Sequence, residues 1–106
     1  MSVRQIKVLE AENLNPGQML GIMIENKAIL LANIDGLFYA IDNRCSHEDA
    51  ILYKGALKGD CVECPLHGSR FSFKTGQPME EPATGPVQTY PVSHKQDGIY
   101  ITLHDG

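Results

Sequence analysis

No uninterrupted apolar run in the chain reaches the roughly 18 residues that cross a membrane. The longest near-apolar stretch is Ala28 to Ile34, so no membrane association is expected. The opening MSVRQIKVLE mixes charge into every turn and lacks the apolar segment of about 7 to 15 residues that marks a secretory signal, which makes the cytoplasm the expected location. Positive charge is also scarce. Nine Lys and Arg stand against thirteen Asp and Glu, a net charge of -4, which argues against sequence-independent binding of nucleic acid or acidic lipid and makes any charge-steered partner basic. Repeats, low-complexity tracts and linkers are absent, and 106 residues leave no room for a second catalytic domain, so residues 1–106 are expected to form one domain. No segment carries a convincing 3.6-residue period; Ala11 to Leu14, before Pro16, offers at most one helical turn.

What the chain does contain is a series of short β-rich runs: Arg4 to Leu9, Met19 to Ile24, Lys27 to Asn33, Leu37 to Asp42, Gln88 to Lys95 and Ile99 to His104. The pattern predicts an all-β protein. Glu25-Asn26, Asp35-Gly36 and Asp97-Gly98 separate consecutive runs and predict at least three antiparallel hairpins, since such residues tolerate the positive φ of tight turns. In the last run Ile99, Ile101 and Leu103 alternate with Tyr100, Thr102 and His104, which predicts one apolar row inward and one polar row in water. A composition of 42% hydrophobic and 21% charged residues suits a packed core. A chain this short still buries only about 60 to 65% of its unfolded surface, so a metal site would help it.

Between Arg44 and Gly76 the texture changes: three cysteines, two histidines, four glycines and one proline interrupt any long strand and predict a small inserted lobe at about 44–76. Gln77 to Pro86 follows, with three prolines and Gly85, and predicts a rigid surface loop that cannot continue a sheet and folds back over something. Three cysteines are an odd number, which makes a disulfide framework improbable and reduced, metal-ligating thiols the better reading. Cys45-Ser46-His47 and Cys64-Pro65-Leu66-His67, separated by 16 residues, bring four metal-ligand side chains into two short loops, with Gly55, Gly59 and Gly68 allowing tight turns. Two thiolates with two imidazoles suit a tetrahedral zinc ion, or an iron–sulfur cluster in which histidines replace cysteines on one iron.

The spacing C-x-H, 16 residues, C-x-x-H, followed by Gly68, Arg70 and Phe71, resembles the Rieske [2Fe–2S] signature. Asn43 to Asp49, Glu63 to Phe71, Lys74-Thr75-Gly76 and the proline loop ending in Tyr90-Pro91-Val92 resemble soluble Rieske ferredoxins, so the resemblance covers essentially the whole chain. It implies a Rieske-type antiparallel β-sandwich carrying one [2Fe–2S] cluster in the inserted lobe, with Cys45 and Cys64 on one iron and His47 and His67 on the other. It further implies a monomeric one-electron carrier between a flavoprotein ferredoxin reductase and a terminal aromatic-ring-hydroxylating oxygenase, without turnover of its own. A Rieske-like small subunit of an assimilatory nitrite reductase is the alternative, and a zinc-stabilised interaction module a more distant one. Two thiolates leave an oxidised cluster neutral where four would leave it at -2, which favours electron uptake and a higher potential. Histidine ligation also makes the potential fall as pH rises past the ionisation of a metal-bound imidazole. The respiratory members of the family carry a disulfide between the cluster loops, for which this chain has no cysteines. Ser69 resembles their hydroxyl donor to a cluster sulfide, whereas Phe71 stands where a tyrosine would supply a second, so a potential low in the Rieske range is expected.

The remaining candidates read more plainly. Cys61 forms a Cys-x-x-Cys with Cys64 but lacks a βαβ setting and is expected to be a small strand residue. His94 and His104 are expected at the surface. Glu48, Asp49, Glu80 and Glu81 offer an acidic rim to basic partners, shared with Arg44 and Arg70, and Pro82 and Pro86 belong to the flap that the resemblance lays over the cluster.

Overall fold

A computed structural model describes residues 2–46, 50–66, 68–80 and 85–105. These form strands β1 (Ser2–Lys7), β2 (Met19–Ile24), β3 (Lys27–Ile34), β4 (Leu37–Asp42), β5 (Ala56–Lys58), β6 (Cys61–Glu63), β7 (Arg70–Ser72), β8 (Pro78–Glu80), β9 (Thr89–Tyr90), β10 (Val92–Lys95) and β11 (Gly98–Asp105), with 3₁₀ turns at Leu9–Asn13 and Leu52–Lys54. Three antiparallel sheets result, ordered β1-β11-β10, β2-β3-β4-β9 and β5-β6-β7-β8. The all-β, antiparallel expectation holds.

The second sheet is the middle layer. Successive side chains of a strand point to opposite faces, so β3 sends Ile29 and Leu31 one way and Leu30 and Ala32 the other. Ile29 and Leu31 join Ala40, Tyr90, Ile99, Ile101 and Leu103 in the core shared with the first sheet. Leu30 and Ala32 join Ile41, Val62, Phe71 and Phe73 in the core shared with the third. Burial on both faces explains why Ile29 to Ala32 is an unbroken apolar run rather than an alternating one.

Turn chemistry sets the hairpins. Glu25 and Asn26 (φ 50° and 70°) and Asp35 and Gly36 (φ 55° and 91°) are left-handed at both central positions, the geometry that matches strand twist in two-residue hairpins. The third hairpin differs from the sequence expectation: Lys95 pairs with Gly98, so Gln96-Asp97 makes the turn and Gly98 already belongs to β11. The first run stops at Lys7 because Val8 turns inward and Leu9 begins the 3₁₀ turn. Gln88 to Lys95 is not one strand either. Pro91 divides it into β9 and β10, which belong to different sheets, and the Pro91 carbonyl accepts the Thr102 N–H at 2.9 Å. Thr102 is buried rather than wet. Pro78 starts β8, correcting the expectation that the proline segment stays outside any sheet: proline is tolerated at the first position of an edge strand, and a bulge at Arg70/Phe71 marks the site.

Candidate metal centre

The two cysteine motifs are built alike. After β4, Asn43 is pinned by its N–H to the Ala28 carbonyl (3.0 Å), and its side-chain and main-chain oxygens accept the Tyr53 and Leu52 N–H groups (2.8 and 3.2 Å). Arg44 bridges Ile51, and the Cys45 N–H closes the loop on the Ala50 carbonyl at 3.0 Å. The second loop repeats this on the β6–β7 hairpin: Glu63 pairs with Arg70, and the Cys64 N–H closes on the Ser69 carbonyl at 2.7 Å. Each cysteine therefore heads a loop closed from its own N–H to the carbonyl five residues on. Gly68, at φ 76°, donates its N–H to the Cys64 carbonyl at 3.2 Å, a left-handed turn that a side chain would strain. Outside the hairpin stem, Arg70 Nε and Nη2 both donate to one Glu63 oxygen at 3.1 Å.

Both cysteines are buried, 7% and 3% exposed, within one apolar cluster that includes Ala50, Leu52, Val62, Phe71 and Val87. The expected ligands His47 and His67 lie outside the described residues, as do Glu48, Asp49, Glu81 and Pro82. Among the described residues no group of three or more His, Cys, Asp or Glu side chains is placed to hold a metal. A thiolate buried among apolar side chains needs a cation beside it, and two such thiols on matched loops, each motif carrying an imidazole, form a soft mixed donor set that suits iron–sulfur or zinc chemistry.

The segment after β8 is tied back onto these loops. Ser46 donates its hydroxyl to the Gly85 carbonyl, and the Val87 N–H bonds to the Gly76 carbonyl at 2.8 Å. Asp42, at the end of β4, receives the Gln88 N–H (3.1 Å) and the Tyr90 hydroxyl (2.6 Å). Burial, reinforced by the bond and charge of Asp42, pushes the Tyr90 phenol well above its ordinary range. Ser69 is fully buried in the second loop.

The other candidates stand apart. Cys61 lies on β6, half-buried beside Asp60 (Sγ to Oδ1, 3.5 Å), and burial followed by Asp60 raises its pKa, so it is a poor nucleophile. His94 and His104 are exposed, His94 standing edge-on to Phe38. Asn43, Asp42 and Tyr90 were not singled out from sequence for these roles. Asn43 and Tyr90 enter the sequence reading only as parts of stretches that resemble Rieske ferredoxins and Asp42 only as a strand end, because the partners that give them meaning are remote along the chain.

Residues 4–91 match the Rieske [2Fe-2S] domain. The chain belongs to the Rieske [2Fe–2S] family. The family implies a [2Fe–2S] cluster, in keeping with the two buried thiols and the soft donor set. The ferredoxin component of the naphthalene 1,2-dioxygenase system of Pseudomonas putida is 36% identical over 103 residues, 97% of this chain and 99% of the relative. The 3-phenylpropionate/cinnamic acid dioxygenase ferredoxin subunit of Shigella flexneri serotype 5b (strain 8401) is 49% identical over 76 residues, 71% of this chain and 72% of the relative. A chain from the solved complex of reduced oxygenase and oxidized ferredoxin in carbazole 1,9a-dioxygenase superposes with a TM-score of 0.85 at 32% identity, covering 92% of this chain and 91% of that one. No helix among the described residues is long and apolar enough to cross a membrane.

Proposed function

We propose that this Rieske protein is a one-electron carrier, a ferredoxin that takes electrons from a flavoprotein reductase and delivers them to a terminal oxygenase hydroxylating an aromatic ring. The observation that carries the reading is the pair of matched loops presenting Cys45 and Cys64 in one buried cluster. The named roles of the relatives and the oxygenase–ferredoxin complex point to the same work. Cys45 and Cys64 would hold one iron, and His47 and His67 the other. When bound, the cluster supplies reversible one-electron chemistry.

The chain's own residues make a dry, pre-set seat. Leu52, Val62 and Phe71, none of them measurably exposed, keep water from the sulfur side and lower the dielectric there, which favours a neutral site over a charged one. The loop-closing bonds and the Glu63–Arg70 stem hold the ligand backbones in place, so little reorganisation accompanies a change of charge. Leu66, 58% exposed and one residue before His67, gives the second loop an apolar tip. A carrier works by surface encounter, and in this reading the chain acts as one monomeric domain in the cytoplasm with no substrate turnover of its own.

The test is an iron and acid-labile sulfide assay, with electron paramagnetic resonance of the reduced protein. The expected result is two irons and two sulfides per chain, an average g value below that of a four-cysteine cluster, and reduction by a flavoprotein reductase coupled to oxygenase turnover. Protein that contains neither iron nor sulfide after anaerobic reconstitution refutes the reading. A colourless, redox-silent zinc protein identifies the interaction module instead.

A further inference from the structure

Gly55 differs from Gly59 and Gly68. Gly59 and Gly68 have positive φ (61° and 76°), and a Cβ on either would meet nothing within 4 Å. Gly55 has φ -84° and ψ -152°, extended backbone open to any residue, yet a Cβ there would lie 1.8 Å from the Glu63 carbonyl oxygen, 3.0 Å from its carbon and 3.2 Å from the Leu52 oxygen. The need for glycine is therefore one of space rather than of conformation, and every obstructing atom is backbone.

The position gives the crowding its meaning. The chain leaves the first cysteine loop through the 3₁₀ turn at Leu52–Lys54, anchored by the fully buried Leu52, and the Gly55 N–H closes that turn on the Leu52 carbonyl at 2.9 Å. It then enters β5, where Ala56 pairs with Glu63. The next pair in that register would be Gly55 with Cys64. At this crossing the chain leaving the Cys45 loop lies against the strand that delivers Cys64.

We propose that Gly55 is a positioning residue of the metal centre, whose missing side chain lets the two cysteine loops approach to the spacing that one cluster requires. This rests on the reading that Cys45 and Cys64 hold the same cluster. Real Cβ atoms essentially never sit closer than 3.0 Å to such a neighbour, so an alanine must move the Glu63 carbonyl or the Gly55 backbone by more than an ångström. Glu63 is held on both sides, by Ala56 and by Arg70, and is followed at once by the Cys64 N–H bond to Ser69. The displacement therefore passes into the second cysteine loop or back into the Leu52 turn.

The experiment compares the wild type, Gly55→Ala and Gly36→Ala as purified, reconstituted proteins. Gly36 lies at the tip of the β3–β4 hairpin with φ 91° and open space, so its alanine strains a turn without touching either loop. Iron and sulfide content, g values, reduction potential, iron release to a ferrous chelator and circular dichroism with and without metal are recorded for each. The expected result is that Gly55→Ala keeps the strand spectrum, releases iron at least about tenfold faster and shows displaced g values and potential. Gly36→Ala melts earlier but keeps the wild-type g values and potential. Wild-type g values, potential and release rate in Gly55→Ala overturn the proposal. So does a Gly55→Ala chain that lacks the strand spectrum both with and without metal, since Gly55 would then be a requirement of the whole fold. Absence of iron from the wild type overturns the carrier reading itself, a result distinct from either.

Discussion

Removing the Tyr90 hydroxyl tests how firmly the segment returning from the proline loop is held against the strand that leads to Cys45. Tyr90 is 7% exposed as a residue, and its hydroxyl donates to Asp42 Oδ1 at 2.6 Å. Asp42 keeps the Gln88 N–H at 3.1 Å on its other oxygen and is half-buried, so water replaces part of what Tyr90→Phe removes. A hydrogen bond to a charged group contributes about 1.5 to 3 kcal/mol, and access of water places this one near 1.5 kcal/mol. In a chain of 106 residues that lowers the melting temperature by about 6 °C. Asp42→Ala should cost more, because it leaves the Tyr90 hydroxyl and the Gln88 N–H without their acceptor. Urea titration of the loaded protein, followed by circular dichroism, measures both. A Tyr90→Phe midpoint equal to that of the wild type, or a milder Asp42→Ala, refutes the clamp. The pair also makes a prediction about pH. The Tyr90 ionisation is raised in the folded state, by burial first and then by Asp42, while the unfolded chain titrates near about 10. The unfolded chain then binds fewer protons than the folded one above about pH 10. The stabilisation is thus complete below that pH and is lost as pH rises further. Tyr90→Phe should flatten this alkaline decline, and equal slopes in the two proteins would count against the assignment.

Further outcomes are expected at other positions. Ser69→Ala, which deletes a fully buried hydroxyl, should lower the reduction potential in protein-film voltammetry, and an unchanged potential argues against donation to a cluster sulfide. Cys61→Ser should keep full iron, sulfide and the wild-type resonance spectrum; loss of the cluster would place Cys61 among the ligands. Leu31→Ala, in the core between the first two sheets, should cost about 2 to 5 kcal/mol by urea titration without altering g values. Glu63→Gln removes a half-exposed ion pair and should cost less than about 1 kcal/mol, an effect that fades as salt is added; a larger, salt-independent loss would show that the stem depends on that pair.

β-rich composition bounded by turn dipeptides was enough to locate most strands, because both are local rules: Met19–Ile24, Leu37–Asp42 and the Glu25-Asn26 and Asp35-Gly36 turns need no knowledge of the rest of the chain. The cysteine–histidine spacing likewise announced metal chemistry, since ligands a few residues apart must share a loop. What local rules cannot state is which sheet a strand joins. Gln88 to Lys95 reads as one run, and only the pairing of Thr89–Tyr90 with β4 and of Val92–Lys95 with β11 divides it. Thr102 looks like an outward residue but is buried in the fold, and Pro78 looks like a breaker until an edge position accepts it. Gly55 makes the same point most sharply. From the sequence it is one glycine among several that permit turns, whereas the fold brings a backbone carbonyl to where its side chain would stand. The sequence by itself determined the strand-forming segments and the donor atoms, which depend on short-range sterics and on ligand chemistry. The tertiary structure decided the order of the sheets, the burial of both faces of β3 and the approach of the two cysteine loops, because these arise from contacts between residues far apart along the chain.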